Sequence, residues 1–245
     1  MRYFMTFSYD GSKFKGYQKQ PRVKTIQGEI EKALQKMSKE KISIHASGRT
    51  DAGVHALNQK AHFDLDMNIT CENLRKGLNS LIGDYIYIKD VSTVSDMFHA
   101  RYNVKAKEYI YKINMGQYDP IEKDYVLQYN KRLDVVAIER ALKYIEGTHD
   151  FKSFTKANDE HDDYVRTIIQ TNLIRDLKNV NHITVSLLGT GFMRYMVRNI
   201  VGTLIEIGEG KHKSEDIIAI LEAKDRRKAG ITAKPEGLYL KDVFY

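Results

Sequence analysis

The 245-residue chain contains no tryptophan and only one cysteine, Cys71. A single thiol allows neither an internal disulfide nor a multi-cysteine metal site, which suits a reducing compartment, and Cys71 itself reads as a small packing residue rather than a nucleophile. No apolar stretch approaches the roughly 20 residues that cross a bilayer, and Met1 to Thr6 lack the long apolar core and cleavage site of a secretion signal, so the expectation is a cytoplasmic protein without a membrane partner. The glycine-rich dinucleotide fingerprint and the P-loop are also missing, which argues against the cofactors that those motifs hold. What is present is a composition of 42% hydrophobic and 29% charged residues, ordinary for a globular chain with one large or two modest cores. The net charge is +7 and the pI near 9.2, which fits a partner rich in phosphate.

Periodicity gives a coarse order of elements. Residues 2 to 9 alternate, with Tyr3, Met5 and Phe7 on one side and Phe4 and Thr6 on the other, and read as a strand stopped by Asp10-Gly11. Beyond it Lys13, Lys15, Lys19, Arg22 and Lys24 surround Phe14, Tyr17 and Pro21 with neither period, as a solvated connector or a nucleic-acid contact would. Thr25 is placed to cap a helix to about Met37, with Ile26, Ile30, Ala33, Leu34 and Met37 on one stripe. Short strands follow at 42–45 and 61–65, then a helix at 70–81 and a strand at 85–94. The rest repeats the theme: strands at 102–114, 166–177 and 180–188, a helix at 134–146 capped by Asp134 and ended by Gly147, a helix from about Gly191 to Ile207 and another after 214. The polar, acidic run from Lys156 to Asp163 reads as a mobile loop. Periodicity alone supports an α+β chain with helices against mostly antiparallel strands.

The segment Gly48-Arg49-Thr50-Asp51-Ala52-Gly53-Val54-His55 sets one carboxylate between an arginine and two glycines, a loop in which the backbone can take positive φ and Arg49 favours an ionised Asp51. The plainer reading is a surface turn with a local ion pair. The segment resembles the signature of the tRNA pseudouridine synthase A family, and the resemblance continues in order along the chain. It takes in Tyr9-Asp10-Gly11-Ser12 through Gly16-Tyr17-Gln18-Lys19-Gln20, Phe98-His99-Ala100-Arg101, Lys107-Glu108-Tyr109-Ile110-Tyr111 and Gly147-Thr148-His149-Asp150-Phe151. It then runs through Val165-Arg166-Thr167-Ile168, Met196-Val197-Arg198-Asn199-Ile200-Val201-Gly202 and Thr232-Ala233 to Gly237-Leu238-Tyr239-Leu240. Three positions depart from the family pattern: Tyr17 stands where tryptophan is usual, Asn58 where glycine is, and Ile82 where a proline often follows the Asn79-Ser80-Leu81 run. A tyrosine at position 17 can still stack on a base, with less area.

The resemblance implies two α/β halves related by a pseudo-twofold, taken here as 1–104 and 105–245, with sheets side by side and a basic cleft between them. It also implies isomerisation of uridine at positions 38, 39 and 40 of the tRNA anticodon stem-loop by a homodimer. Asp51 takes the nucleophile's place, Tyr109 the place of a tyrosine that stacks on the flipped base, and Arg198 that of an arginine paired with the aspartate. Arg49 falls where a residue enters the helix or contacts the phosphate beside the target and helps hold the nucleotide out of its stack. Lys13, Lys15, Lys19, Arg22, Arg101, Lys107 and Arg166 are candidates for backbone contacts as a group, though each alone reads as a solvated charge. Breaking the C1′–N1 bond and joining C5 to C1′ needs an anion that holds sugar or base meanwhile, and neither a cofactor nor a metal is required.

Two other readings compete. His45, Asp51, His55 and His62 could ligate a divalent metal in a phosphoesterase. The basic charge and interleaved aromatics would also suffice for a non-catalytic RNA-binding module.

Overall fold

The computed structural model describes residues 1–156 and 163–245. In chain order the strands and helices are β1 (Arg2–Tyr9), α1 (Ile26–Ser38), β2 (His45–Ala46), β3 (His55–Asp64), α2 (Cys71–Leu81) and β4 (Ile86–Thr93). They continue with β5 (Ala106–Asn114), β6 (Leu127–Gln128), α3 (Val135–Tyr144), β7 (Gly147–Asp150), β8 (Val165–Arg175), β9 (His182–Gly189), α4 (Met196–Gly208), α5 (Asp216–Ala223) and β10 (Leu238–Phe244). The chain divides into two compact units, Met1–Lys105 with Tyr239–Tyr245, and Ala106–Leu238. The fold is α+β with mostly antiparallel strands, as the periodicity implied.

In the first unit β1 lies between β3 and β4, antiparallel to both, and buries the alternate residues Tyr3, Met5, Phe7 and Tyr9. Tyr3 stacks on Phe63 from β3, with ring centroids 5.7 Å apart. The register of β1 on β3 slips between Phe7 and Tyr9, a bulge of the kind that re-aims a side chain. β10 joins β3 in parallel, Tyr239 opposite His55 and Leu240 opposite Ala56. Helix α1 starts where Thr25 Oγ1 accepts the Gly28 N–H, and α2 where Thr70 does the same for Asn73. Asn79, on α2, exchanges two 2.8 Å hydrogen bonds with the backbone of Ile88 on β4 and so ties helix to sheet.

In the second unit β5, β9, β8 and β7 follow one another as antiparallel neighbours, with β6 parallel to the far end of β5. Asp134 caps α3 through the Ala137 N–H. Helix α4 is buried on nearly every side, including the polar Asn199 and Thr203.

Several boundaries differ from the periodicity, each for a local reason. The strand expected from Ala61 begins at His55, because its buried face includes the polar Gln59, which hides the alternation. The strand expected at 42–45 is reduced to His45–Ala46. The helix expected from Gly191 starts at Met196, because Tyr195 sits at φ +64, outside the right-handed helical region. β6, β7 and β10 carry too little alternation to be anticipated. Of the polar run from Lys156 to Asp163, residues 157–162 lie outside the described residues.

Candidate active site

The first unit holds the Asp51 loop, and hydrogen bonds and close backbone approaches fix it. The carbonyl of Asp51 accepts the Val54 N–H at 3.2 Å, closing a turn whose third residue, Gly53, has φ +80, a conformation that side chains rarely adopt. Gly16, also at positive φ, passes so near that a Cβ on it would stand 3.3 Å from Ala52 N, and the next residue, Tyr17, donates its N–H to the Thr50 carbonyl at 3.1 Å. A Cβ on Gly11 would fall 1.9 Å from the Val54 carbonyl oxygen.

From the sheet side, the Tyr9 hydroxyl lies 2.7 Å from Thr50 Oγ1. Gln59 on β3 donates Nε2 to the Gly48 carbonyl and accepts the Ser47 hydroxyl at 2.6 Å. These side chains are buried and hydrogen-bonded, the condition under which polar groups in a core fix one geometry. Burial pushes the Tyr9 phenol up to about 12, so it remains a neutral hydroxyl beside Thr50 at neutral pH. Asp51 is half-buried at the head of this scaffold, and Arg49 is exposed beside it. Of these supports only Gly53 was argued from the residues themselves; Tyr9, Gly11, Gly16 and Thr50 entered as parts of the quoted family motifs, and Ser47 and Gln59 carried no signal.

The four residues of the metal reading do not converge. His45 and His62 stack ring on ring at 5.0 Å, Nδ1 of His62 accepts the Ala100 N–H at 3.1 Å, and Nδ1 of His55 accepts the Gly11 N–H at 3.1 Å. Among the described residues no group of three or more His, Cys, Asp or Glu is placed to hold a metal ion.

The second unit holds Tyr109 and Arg198. Tyr109 lies on β5 opposite Leu187, largely buried, its ring edge-on to Phe192 at 5.0 Å. Tyr111, on the same face, is wholly buried and donates its hydroxyl to the Lys234 carbonyl at 2.6 Å. Arg198 sits in the first turn of α4, where Nε donates to the Ala233 carbonyl at 2.7 Å, the Ala233 N–H returns to the Arg198 carbonyl at 3.0 Å, and the guanidinium lies 4.9 Å from the Tyr195 ring centroid. This seat exists because Gly202, one turn on, lets the chain pass: a Cβ there would fall 1.6 Å from the Ile231 carbonyl oxygen.

The same passing segment is latched by Thr232, whose hydroxyl donates to Asn199 Oδ1 at 2.6 Å, and by Arg226, which donates to both Asn199 Oδ1 and Thr232 Oγ1. Asn199 in turn donates to the carbonyls of Phe154 and Thr155. The latch did not show in the sequence, since its members are far apart along the chain.

The other basic candidates are differently placed. Lys13 and Lys24 flank the Tyr85 ring, at 6.0 and 5.7 Å, while Lys15 and Arg22 are exposed. Lys19 forms a 2.8 Å salt bridge with the buried Glu31, and Arg166 lies 3.6 Å from Asp163. Lys107 lies on β5 and Arg101 is exposed beside Tyr102.

The departures from the family pattern find local explanations. Tyr17 is 2% exposed, so it cannot offer its face to a base, which corrects the expectation that it stacks there; its buried hydroxyl has no hydrogen-bond partner among the described residues. Phe14 is buried too, so the rings of the basic loop serve the core while its cations face outward. Asn58, on β3, accepts from Lys89 Nζ on β4 and donates to the Lys241 carbonyl on β10. Ile82 closes α2, with its N–H on the Leu78 carbonyl.

Comparison with known proteins meets this geometry at full length. A family profile described as tRNA pseudouridine synthase matches residues 5–103 and 141–245. The chain is 46% identical over 242 residues to the tRNA pseudouridine synthase A of Geobacillus sp. (strain WCH70), covering 98% of this chain and 96% of that one. It is 44% identical over 238 residues to that of Exiguobacterium sp. (strain ATCC BAA-1283 / AT1b), covering 97% and 95%. With that of Ligilactobacillus salivarius (strain UCC118) the identity is 40% over 247 residues, covering 100% and 96%. The glycines that make room for the Asp51 loop and the segment that seats Arg198 lie within the matched residues, and the chain belongs to the tRNA pseudouridine synthase family.

Proposed function

We propose that this protein converts uridine to pseudouridine in the anticodon stem-loop of tRNA, at positions 38, 39 and 40, with Asp51 as the nucleophile. The observation that carries the reading is the Asp51 loop itself, a half-buried carboxylate on a rigid turn beside an exposed arginine, in a chain that matches its relatives from end to end. The reaction breaks the C1′–N1 bond, turns the uracil over and joins C5 to C1′; C5 gives up a proton and N1 takes one, so nothing is oxidised and no group arrives from outside. A carboxylate can hold the nucleotide through either uracil C6 or ribose C1′ while the base turns.

In this reading Arg49 contacts the phosphate beside the target and helps keep the nucleotide extruded, at a cost of about a few kcal/mol that backbone contacts offset. Tyr109 presents its ring to the flipped base and its hydroxyl to the C5 proton. Arg198 is assigned to the Asp51 carboxylate; the Ala233 carbonyl fixes the plane of its guanidinium beforehand, so little side-chain freedom is lost in use. Lys13, Lys15, Lys19, Arg22, Arg101, Lys107 and Arg166 supply backbone contacts. By the same resemblance the protein acts as a homodimer, and its lone cysteine and tRNA substrate suit the cytoplasm. No helix among the described residues is long and apolar enough to cross a membrane.

The test is incubation of purified protein with unmodified tRNA in buffer alone, followed by mapping of pseudouridine along the strand. Pseudouridine confined to positions 38, 39 and 40 is the expected result. Modification elsewhere overturns the choice of target, and none at all overturns the activity.

A further inference from the structure

A ladder of rings stands in the first unit, on β2, β3 and the turn that follows Phe98. His45 stacks on His62 at 5.0 Å, His62 meets His99 at 4.6 Å, and His99 lies against Tyr102 at 4.2 Å with a tilt of 30°. The buried rung is His62, 2% exposed; His99 is half-buried, and the Tyr102 end stands open at 76% exposed. The backbone beneath the outer rungs is fixed. The His99 N–H donates to Asn103 Oδ1 at 2.6 Å, the Asn103 N–H to the His99 carbonyl at 3.0 Å, and the Arg101 N–H to His99 Nδ1 at 3.1 Å. His62 Nδ1 and the Tyr245 hydroxyl secure Ala100 from both sides of its peptide unit. Exposed aromatics usually have rotamer freedom to lose on binding; this one is already braced by a ring behind it and a closed turn below it.

His62 and His99, the two rungs behind Tyr102, favour the neutral ring. Burial first, then the neighbouring imidazoles, brings His62 down to about 4, and burial lowers His99 as well. The shelf therefore presents a π-face rather than a row of cations, which suits a nucleobase and not a bare phosphate. A cation stands beside the ring: the Arg101 guanidinium carbon lies 6.0 Å from the Tyr102 ring centroid, the pairing of ring and cation that suits a base with its phosphate.

We propose that the open face of Tyr102, backed by His99 and flanked by Arg101, is a stacking shelf for an unpaired nucleobase of the RNA substrate. The shelf rests on the tRNA reading above and extends it to residues with no assigned part in the chemistry. Base-on-aromatic stacking of this kind changes affinity about 5- to 100-fold when the ring is removed.

The test measures affinity for unmodified tRNA at fixed salt for the wild-type protein, Tyr102→Ala, Tyr102→Phe and Tyr118→Ala, the last an exposed tyrosine outside the ladder. The shelf predicts a loss of about tenfold for Tyr102→Ala, retention for Tyr102→Phe and Tyr118→Ala, and a salt slope reduced by about 0.7 to 0.9 in Arg101→Ala. Equal affinity of wild type and Tyr102→Ala, in a wild-type protein that converts tRNA, overturns the shelf and leaves the activity standing. A loss in Tyr102→Phe as large as in Tyr102→Ala overturns it too, by assigning the contact to the hydroxyl. A change of oligomeric state in Tyr102→Ala on sedimentation assigns the ring to a contact between copies and overturns it likewise. Wild-type protein that neither binds nor converts tRNA overturns the shelf and the activity together.

Discussion

The hydroxyl of Tyr9 lies 2.7 Å from Oγ1 of Thr50, one residue before Asp51. Tyr9 is the last residue of β1, past the bulge, so the sheet reaches the loop through this hydroxyl pair. Tyr9→Phe removes the bond and leaves a buried threonine hydroxyl short of a partner. Loss of a buried hydrogen bond costs about 1 kcal/mol, so the urea midpoint of Tyr9→Phe falls by a corresponding amount. Turnover falls further than stability, several-fold or more, because the loop that carries Asp51 is no longer held; unchanged turnover would separate Tyr9 from the site.

Gly202→Ala tests the seat of Arg198 without touching Arg198. The added methyl meets the Ile231 carbonyl oxygen, and the segment up to Ala233 must move off α4. Overpacking of this kind costs about 1–3 kcal/mol, and displacement of the Ala233 carbonyl releases Arg198 Nε. A lowered melting temperature together with a lowered turnover number is expected. A variant of normal activity at temperatures where it is folded would contradict the role given to this crossing.

Tyr17→Phe should go the other way. The Tyr17 hydroxyl is buried without a partner among the described residues, and burial holds its phenol well above the usual range. Deleting a polar atom that has lost its water and gained nothing removes a penalty of about 1 kcal/mol or more, so chemical denaturation of Tyr17→Phe should give a midpoint at or above that of the wild type. A clear drop would reveal a partner for that oxygen.

How much of this was legible in the sequence differs between the two levels. Helices α1 and α2 were placed nearly to the residue, because Thr25 and Thr70 are capping residues set before clean apolar stripes. β3 was not, because its buried face spends positions on Gln59 and His62, whose partners come from other strands and loops. The Asp51 loop announced itself through glycines, which report close backbone approach directly, as Gly11 and Gly16 do here. The rings between Lys13 and Lys24 had no direction in the sequence, because spacing does not tell a ring turned toward solvent from one turned inward, and Phe14 and Tyr17 turn inward. The latch of Asn199, Arg226 and Thr232 was invisible for want of any short-range pattern.

Acid sensitivity should have an imidazole component. His62 has a folded pKa of about 4 against 6.5 when unperturbed, chiefly because it is buried, so the unfolded chain binds more protons between those values. The neutral ring's contribution is fully present above about pH 6.5 and is lost as the pH falls from 6.5 to 4; His99 shifts in the same direction. Stability measured by urea unfolding should fall across that window by about 2 kcal/mol, on the order set by the shift. The fall should be smaller in His62→Gln, whose amide oxygen can still accept the Ala100 N–H. The same slope in both proteins would place the acid sensitivity elsewhere.

The central claim is that one carboxylate, Asp51, performs the chemistry, and Asp51→Asn tests it most directly. The substitution preserves size and removes the negative charge. Wild-type and variant protein are incubated with unmodified tRNA, binding and pseudouridine formation being measured on the same samples. The account predicts that Asp51→Asn binds tRNA with affinity close to that of the wild type and forms no pseudouridine within the time in which the wild type completes the reaction. Pseudouridine formed by Asp51→Asn at a rate comparable to the wild type would contradict it.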